Sequence, residues 1–361
     1  MWYHPFAILL VTVLVAGSPA PVTAQRDDKA GTDTAQQLFN TEEILHFTLT
    51  GKLNELYKDI SDKNTYHPML LQLTGKDSNQ VALQIMVKTR GHFRKEKGNC
   101  TQPPLLLDFP RNEGIKNTPF DHQTKLKLVV PCRGDEYVIE EYLVYKVYNL
   151  LSKNSFHARL ALVDFEDSLH RKKTETHYCF LLENENPMAA RNDCFVVKQK
   201  MLMMESTDAG ELRKMAVFQY MIGNTDWGVP YLQNIVLIAP DSVTRPFTVP
   251  YDFDHAGIVD PPYAGPAPDL ELNSILDRLY RGYCEKDLTV FNETFALYNR
   301  LKPDIYNIYT SCPLLSAKYI KFVKRYLDDF YSTINNKRTI ESEFGKPCTT
   351  SQRVEIKGLK K

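Results

Sequence analysis

The sequence predicts an α+β protein whose first half is rich in strands and whose second half is mostly helical. Between residues 68 and 130, short aliphatic and β-branched runs alternate with turn-forming residues, which is typical of strands. From Gly210 onward, apolar residues recur at steps of three and four, which indicates helices. The chain has no internal repeat and no low-complexity linker, so we expect a strand-rich lobe followed directly by a helical lobe.

The first 24 residues carry the pattern of a secretory signal peptide. An apolar run from Ala7 to Gly17 is followed by two prolines and small residues that end at Ala24. This run is too short to span a bilayer, so we expect cleavage after Ala24; an uncleaved anchor is the alternative. Residues 25–40 are polar and predict a flexible leader. The expected location is secreted or periplasmic, with no transmembrane segment after cleavage.

Composition narrows the class of partner. Lys and Arg equal Asp and Glu at 44 each, so the overall charge gives no sign of nucleic acid or of a membrane surface as a partner. The basic tail, residues 346–361, is interpreted as a solvated end.

The seven cysteines form no C-x-x-C pair and have no adjacent histidine, which argues against a zinc site. In an oxidising compartment we therefore expect disulfides. Sequence proximity suggests Cys100 with Cys132 and Cys179 with Cys194, although spacing alone does not fix connectivity. Since the number is odd, one thiol is left over, and we assign it to Cys348.

The strand-rich lobe is predicted to cover residues 41–185. It begins with a helix or strand in the region 42–56 and continues with a hairpin that turns at 76–79. One helix interrupts the strands at 137–153, because apolar residues there recur at helical spacing. The other predicted strands are PLLLDF, KLKLVV, ARLALVDFED and THYCFLLENE.

The helical lobe is predicted to cover residues 186–345. Its predicted helices are 210–223, 270–283, 288–302 and 314–334, all with apolar residues on one face. The first of them ends at Gly223, a common helix terminator. A polar loop, a short strand pair and an acidic motif follow it, in the order GNTDWGVPYLQN, IVLI, FTVPYDFDHAG.

This order of loop, hairpin and acidic motif suits phosphoryl transfer. Such a reaction needs a carboxylate that orients the attacking hydroxyl and oxygen ligands that hold a metal ion on the phosphates. We assign the first role to Asp226 and the second to Asn234 and Asp252. Asp254 is a second ligand or a brace, because alternate residues of a strand point to opposite faces. The gap between Asp226 and Asn234 is long for a catalytic loop, which leaves the reach of Asn234 open.

Several segments in the same order resemble the spore-coat CotH kinase family and its bacterial secreted relatives. They are TRGHF, PPLLLDF, KLKLVVPC, IEEYLVYKVYN, FLLENENPMAAR, GNTDWG, QNIVLI and PYDFD, which cover most of residues 65–265. The layout is also similar to HipA and phosphoinositide kinases. The resemblance implies a bilobal protein-kinase-like fold with a β-rich N-lobe and a helical C-lobe. It also implies a bacterial phosphotransferase that uses ATP with Mg or Mn on a protein substrate.

The resemblance further implies a nucleotide site in the N-lobe. In a kinase-like fold a strand lysine holds the phosphates and a helix carboxylate orients it. Lys127 fits this lysine, with Lys125 as the alternative, and either Glu140 or Glu141 fits the carboxylate. Arg90 could reach phosphates from its turn, and Glu183 falls where the chain crosses between lobes.

Two other classes of function compete with an active kinase. The sequence has no G-x-G-x-x-G loop, so a catalytically inactive, kinase-like envelope binding or scaffold protein is the main alternative. A secreted hydrolase is less favoured, because G-x-S-x-G and H-E-x-x-H motifs are absent from the sequence.

Overall fold

A computed structural model describes Met1 and residues 36–349, apart from 75–79, 92, 97, 112 and 267–269. The expected signal peptide, most of the leader, the hairpin turn and residues 350–361 of the tail lie outside the described residues. The end of the expected leader is described: Leu38 belongs to a 3-10 turn and is fully buried. None of the described helices combines the length and apolarity that crossing a bilayer would need.

The first half closes into a seven-stranded barrel, with strands in the order β1, β2, β3, β4, β5, β7, β6. The barrel has an apolar core because buried and exposed residues alternate along its strands. In β1, Leu45, Phe47 and Leu49 point into the barrel core, while the intervening residues face outward. β1 closes the barrel by pairing in parallel with β6, a contact that the sequence reasoning did not predict. The strands are β1 (Leu45–Gly51), β2 (His67–Thr74), β3 (Gln80–Thr89), β4 (Leu105–Asp108), β5 (Lys125–Val129), β6 (Ala158–Asp167) and β7 (Glu175–Leu182).

The predicted hairpin is confirmed, since β2 and β3 pair antiparallel with Met69 opposite Ile85. The segment left open as helix or strand contains both, because β1 is followed by a short helix, α1 (Leu53–Lys58). The helix α2 (Asp135–Leu151) starts two residues before its predicted range. It is buried on most sides, since it packs against the barrel and against helices of the second half. The helical spacing predicts Leu150 on the same apolar face as Ile139, Leu143 and Val147, but Leu150 is 39% exposed.

The second half contains a three-stranded sheet in the order β10, β9, β8 and most of the helices. Its core is separate from the barrel core and includes α2. The elements are α3 (Glu185–Arg191), β8 (Phe195–Val197), α4 (Ala209–Ile222), β9 (Ile235–Ala239), β10 (Phe247–Pro250), α5 (Asn292–Thr310), α6 (Ala317–Ile334), α7 (Lys337–Phe344) and α8 (Lys346–Thr349). A mixed α+β class is therefore confirmed.

The helix predicted at 270–283 is wrong, because this segment has no regular secondary structure. Two arginines fix it in an irregular path. Arg278 donates to the carbonyl oxygen of Met221 at 3.2 Å, and Arg281 donates to that of Thr225 at 2.7 Å. Tertiary hydrogen bonds to backbone thus override the helical periodicity of the sequence.

One of the suggested disulfides is confirmed and the other cysteine assignments are wrong. Cys100 is bonded to Cys132. Cys179 and Cys194 are both free, because Cys179 lies in the barrel core and Cys194 packs against the second core. Cys348 is not the leftover thiol, since it forms a disulfide with Cys284.

Candidate functional site

The loop after α4 is held in shape at its start. Gly223 ends the helix in the left-handed region at φ +68°, where an added Cβ would meet the Tyr326 hydroxyl, so glycine is required. The side-chain oxygen of Asn224 accepts a hydrogen bond from the backbone N–H of Asp226 at 3.0 Å. Asp226 is therefore placed by the local turn and is 6% exposed.

The long gap between Asp226 and Asn234 does not separate them. Gly228 and Gln233 pair as an isolated bridge, with N–H to O distances of 3.0 and 2.9 Å, so the loop folds back on itself. The Asn234 amide then donates to the backbone oxygen of Asp226 at 2.8 Å and to its carboxylate at 3.0 Å. This arrangement fixes the carboxylate and leaves the amide oxygen of Asn234 as an acceptor.

Asp252 and Asp254 follow the strand rather than lie on it. β10 ends at Pro250, and Asp252 has a φ of +64°, so strict alternation of faces does not apply to the pair. The backbone N–H of Asp252 donates to the Tyr145 hydroxyl on α2 at 2.8 Å. The Asp254 carboxylate accepts from the Tyr263 hydroxyl at 3.5 Å. Burial raises the pKa of Asp252, and the charge of Asp254 adds to it.

The charges of Asp252 and Asp254 also act on the carboxylate of Asp226. Burial raises the pKa of Asp226 to about 6, and Asp252 and Asp254 contribute to the rise. The predicted acidic residues, which are separated along the chain, are thus brought into electrostatic contact.

Lys127 reaches the cluster formed by Asp226, Asp252 and Asp254 from the barrel. Burial, with the charge of Arg90, lowers its pKa to about 8, while Asp252 and Glu185 oppose the shift. Its ammonium lies over the Tyr251 ring at 4.7 Å. Lys125, the alternative, is exposed and pairs with Asp108 at 3.5 Å on the barrel surface. Of the two lysines, Lys127 is the one in electrostatic contact with Asp252.

Glu141 and Glu140 face different surroundings on α2. Burial raises the pKa of Glu141 well above its usual range; Asp254 and Asp252 add to this, and Arg94 and Arg90 oppose it. Burial also raises the pKa of Glu140, to about 9, but with Glu136 and Asp260 as its charged neighbours. Glu141 is therefore the one that interacts with Asp252 and Asp254, and the opposite charges that act on it are those of Arg94 and Arg90.

Glu183 has a structural environment. It is 3% exposed, and both carboxylate oxygens accept from Arg191, at 2.9 and 3.2 Å. One of them also accepts from the backbone N–H of His157 at 3.0 Å. The side chain thus braces the crossing between β7 and α3, with its acceptors already occupied.

Arg94, Tyr145 and His255 belong to the cluster but were missed by the sequence reasoning. Arg94 is buried, and Tyr263, Asp254 and Glu141 hold its pKa up against the effect of burial. It sits in a 3-10 turn between β3 and β4, where a lone arginine gives no periodic signal. His255 directly follows the acidic motif, and this position was the only feature of the sequence that could have indicated a place in the site.

Several buried polar atoms around these acids have no hydrogen-bond partner among the described residues. They are Arg90 Nε, Arg94 Nε, Glu141 Oε1, Asn224 Nδ2 and both ring nitrogens of His255. Buried polar atoms in native proteins are nearly always satisfied, so a cluster of exceptions indicates a site that receives a polar ligand.

The donors fit a metal ion that arrives with phosphates better than a permanent metal site. Within the described residues, no three His, Cys, Asp or Glu side chains are arranged to hold an ion together. The available oxygen donors are Asp252, Asp254 and the amide of Asn234. Mg²⁺ is commonly held by one or two carboxylates, waters and substrate phosphates, which matches this set.

No family model matches the chain, and no curated protein matches it. Among solved structures it is similar to the Helicobacter pylori proinflammatory kinase CtkA, at 14% identity over 70% of this chain and 96% of that chain, with a TM-score of 0.35. It is also similar to a golgi casein kinase, at 10% identity over 91% of this chain and 80% of that chain, with a TM-score of 0.33. A third similarity is to HipA of Shewanella oneidensis MR-1, solved with HipB and operator DNA, at 10% identity over 92% and 83% of the two chains and a TM-score of 0.33. All three are too distant in TM-score to carry an argument on function.

Proposed function

We propose that the chain is a secreted or periplasmic, CotH-like phosphotransferase of bilobal kinase-like architecture. It would transfer a phosphoryl group from ATP to a hydroxyl, most simply on a protein. The observation that carries the proposal is the convergence of Asp226, Asn234, Asp252 and Lys127 from separate segments. The unpartnered polar atoms around them supply further support.

The roles follow from the contacts of each side chain. Asp226 would accept the hydrogen bond of the attacking hydroxyl, and the two hydrogen bonds from Asn234 keep its carboxylate oriented. Lys127, Arg90 and Arg94 would bind the nucleotide phosphates, since positive groups compensate phosphate charge. Glu141 would position the arginines.

Asp252, Asp254 and the Asn234 oxygen would hold a Mg or Mn ion. When bound, it would neutralise charge on the phosphates. Asp252 is favoured over Asp254 as the principal ligand, because Asp252 lies in electrostatic contact with Lys127 as well as with the arginines.

The alternative is an inactive kinase-like binding or scaffold protein. Its support is that the sequence has no G-x-G-x-x-G loop and that Lys127 lies over an aromatic ring. The two disulfides also suit an extracellular scaffold.

A thermal-shift titration distinguishes the two. We expect ATP to raise the melting temperature of the wild type only when Mg or Mn is present. Asp252→Ala should abolish this shift, whereas Asp304→Asn, at an exposed helix position, should retain it. A wild-type melting temperature that does not change when nucleotide and metal are added would contradict the phosphotransferase proposal.

A further inference from the structure

His255 is buried without a polar partner. The residue is 6% exposed, and neither ring nitrogen has a hydrogen-bond partner among the described residues. A neutral imidazole carries one donor and one acceptor, so burying both unsatisfied costs stability. Phenylalanine would fill the same space without that cost.

Aromatic contacts hold the imidazole in place. Its ring packs edge to face against Phe93 at 5.2 Å and against Tyr263 at 5.9 Å. Phe93 comes from the barrel, beside Arg94 in the turn between β3 and β4. The ring is therefore fixed between the two halves of the molecule by packing alone, which leaves its nitrogens free for another partner.

The imidazole lies near both carboxylate groups of the site, Asp254 and Asp226. On one side, the hydroxyl of Tyr263, whose ring contacts His255, donates to Asp254. On the other side, the imidazole is within electrostatic range of the Asp226 carboxylate. In the proposed reaction, Asp254 is on the metal side and Asp226 is on the acceptor side. In that reaction, a hydrogen-bond donor near both carboxylates would lie close to the phosphoryl group that is transferred.

We propose that His255 donates a ring N–H hydrogen bond to the terminal phosphoryl oxygen of a bound nucleoside triphosphate. This inference rests on the proposed function and deepens it, because it assigns the residue that distinguishes a triphosphate from a diphosphate. An imidazole carries an N–H donor in either tautomer.

Two variants separate this role from a structural one. His255→Phe keeps the ring contacts and removes both nitrogens, while His255→Gln keeps a donor near the original ring nitrogen. Binding of Mg·ADP and of a non-hydrolysable Mg·ATP analogue is measured by thermal shift and by calorimetry. We expect His255→Phe to have an equal or higher melting temperature without ligand, since two unsatisfied polar atoms are lost.

The affinities of the variants for the diphosphate and for the triphosphate analogue test the role of His255. We expect His255→Phe to bind the diphosphate like the wild type and the triphosphate analogue at least about tenfold more weakly, which is the loss of one hydrogen bond to a charged group. His255→Gln should recover part of that loss. Unchanged triphosphate affinity in His255→Phe would overturn the His255 inference alone. Failure of the wild type to bind either nucleotide would overturn the phosphotransferase proposal and this inference together.

A spectroscopic readout covers the case in which His255→Phe fails to fold. The chain has nine histidines, and the folded His255→Gln protein identifies the His255 signal by its absence in ¹⁵N-histidine spectra. We expect this signal to shift with the triphosphate analogue and to shift less with the diphosphate. Equal shifts with both ligands would overturn the inference.

Discussion

The amide of Asn234 donates two hydrogen bonds to Asp226, one to its backbone oxygen and one to its carboxylate. Asn234 itself has a φ of +50°, a conformation that asparagine tolerates better than most residues. One side chain thus sets both the path of the loop and the orientation of the proposed catalytic carboxylate.

Asn234→Gly isolates the contribution of that amide, because glycine adopts the same φ without steric cost. We expect the free energy of unfolding to fall by about 1–3 kcal/mol, as two buried acceptors lose their donor. Phosphotransfer should fall, since Asp226 is held less firmly and the oxygen proposed to bind the metal is lost. Urea unfolding and single-turnover kinetics measure the two effects, and wild-type stability in this variant would contradict the role given to the amide.

Glu183 should matter for stability and not for nucleotide binding. Removing one partner of a buried ion pair leaves the other charge uncompensated, so Glu183→Ala should lower the free energy of unfolding by about 3 kcal/mol. The double variant with Arg191→Ala should lose less than the sum of the two single variants, because the residues are in contact. A selective loss of ATP affinity in Glu183→Ala, at unchanged stability, would instead support a place in the nucleotide site.

Glu140 should make the folded state sensitive to pH. Its pKa is raised from 4.5 to about 9, so the folded protein retains a proton that the unfolded chain releases. The stabilisation that this retained proton gives the folded state is therefore complete below pH 4.5 and is lost as the pH rises through 9. We expect Glu140→Gln, which mimics the protonated acid, to be more stable than the wild type at pH 8 by on the order of 2 kcal/mol.

At pH 4.5 the Glu140→Gln variant and the wild type should have similar free energies of unfolding. The control is Glu271→Gln at an exposed position, which should behave alike at both pH values. Denaturant titrations at the two pH values make the comparison. A Glu140→Gln protein that is less stable than the wild type at pH 8 would contradict the buried, protonated state.

The disulfide between Cys284 and Cys348 should anchor the C-terminal helices. It closes a loop of 64 residues, for which the chain-entropy model gives about 4 kcal/mol of stabilisation. Cys284→Ala and Cys348→Ala should each lose most of that amount in chemical denaturation under oxidising conditions. Cys312→Ala is the control, because Cys312 is a free thiol. Equal stability of all three variants would mean that the bond contributes nothing to folding.

The sequence allowed these site residues to be proposed because they lie in short segments whose residue types are distinctive. Asp226, Asn234 and Asp252 are recognisable from their order around a strand pair, and Lys127 from its strand. Arg94 was not recognisable, because an arginine in a turn has no pattern that separates a buried role from an exposed one. The wrong helix at 270–283 has a related cause: its periodicity is real, but hydrogen bonds from Arg278 and Arg281 decide its path.

The closure of the barrel could not be predicted from the sequence, for a different reason. Each strand is visible from its own alternation, but which strand pairs with β1 depends on chain segments far away. Thr50, for example, donates a side-chain hydrogen bond to Glu166, which lies 116 residues later.

The parallel pairing of β1 with β6 therefore has a consequence for biosynthesis. As the chain leaves the ribosome, β1 and β2 emerge with an unsatisfied edge that only β6 can cover. Slow closure of such a distant contact keeps the nascent barrel open and prone to pair with other chains. Any fragment that stops before Ala158 lacks β6, would keep that edge permanently and should collect in inclusion bodies rather than as soluble monomer.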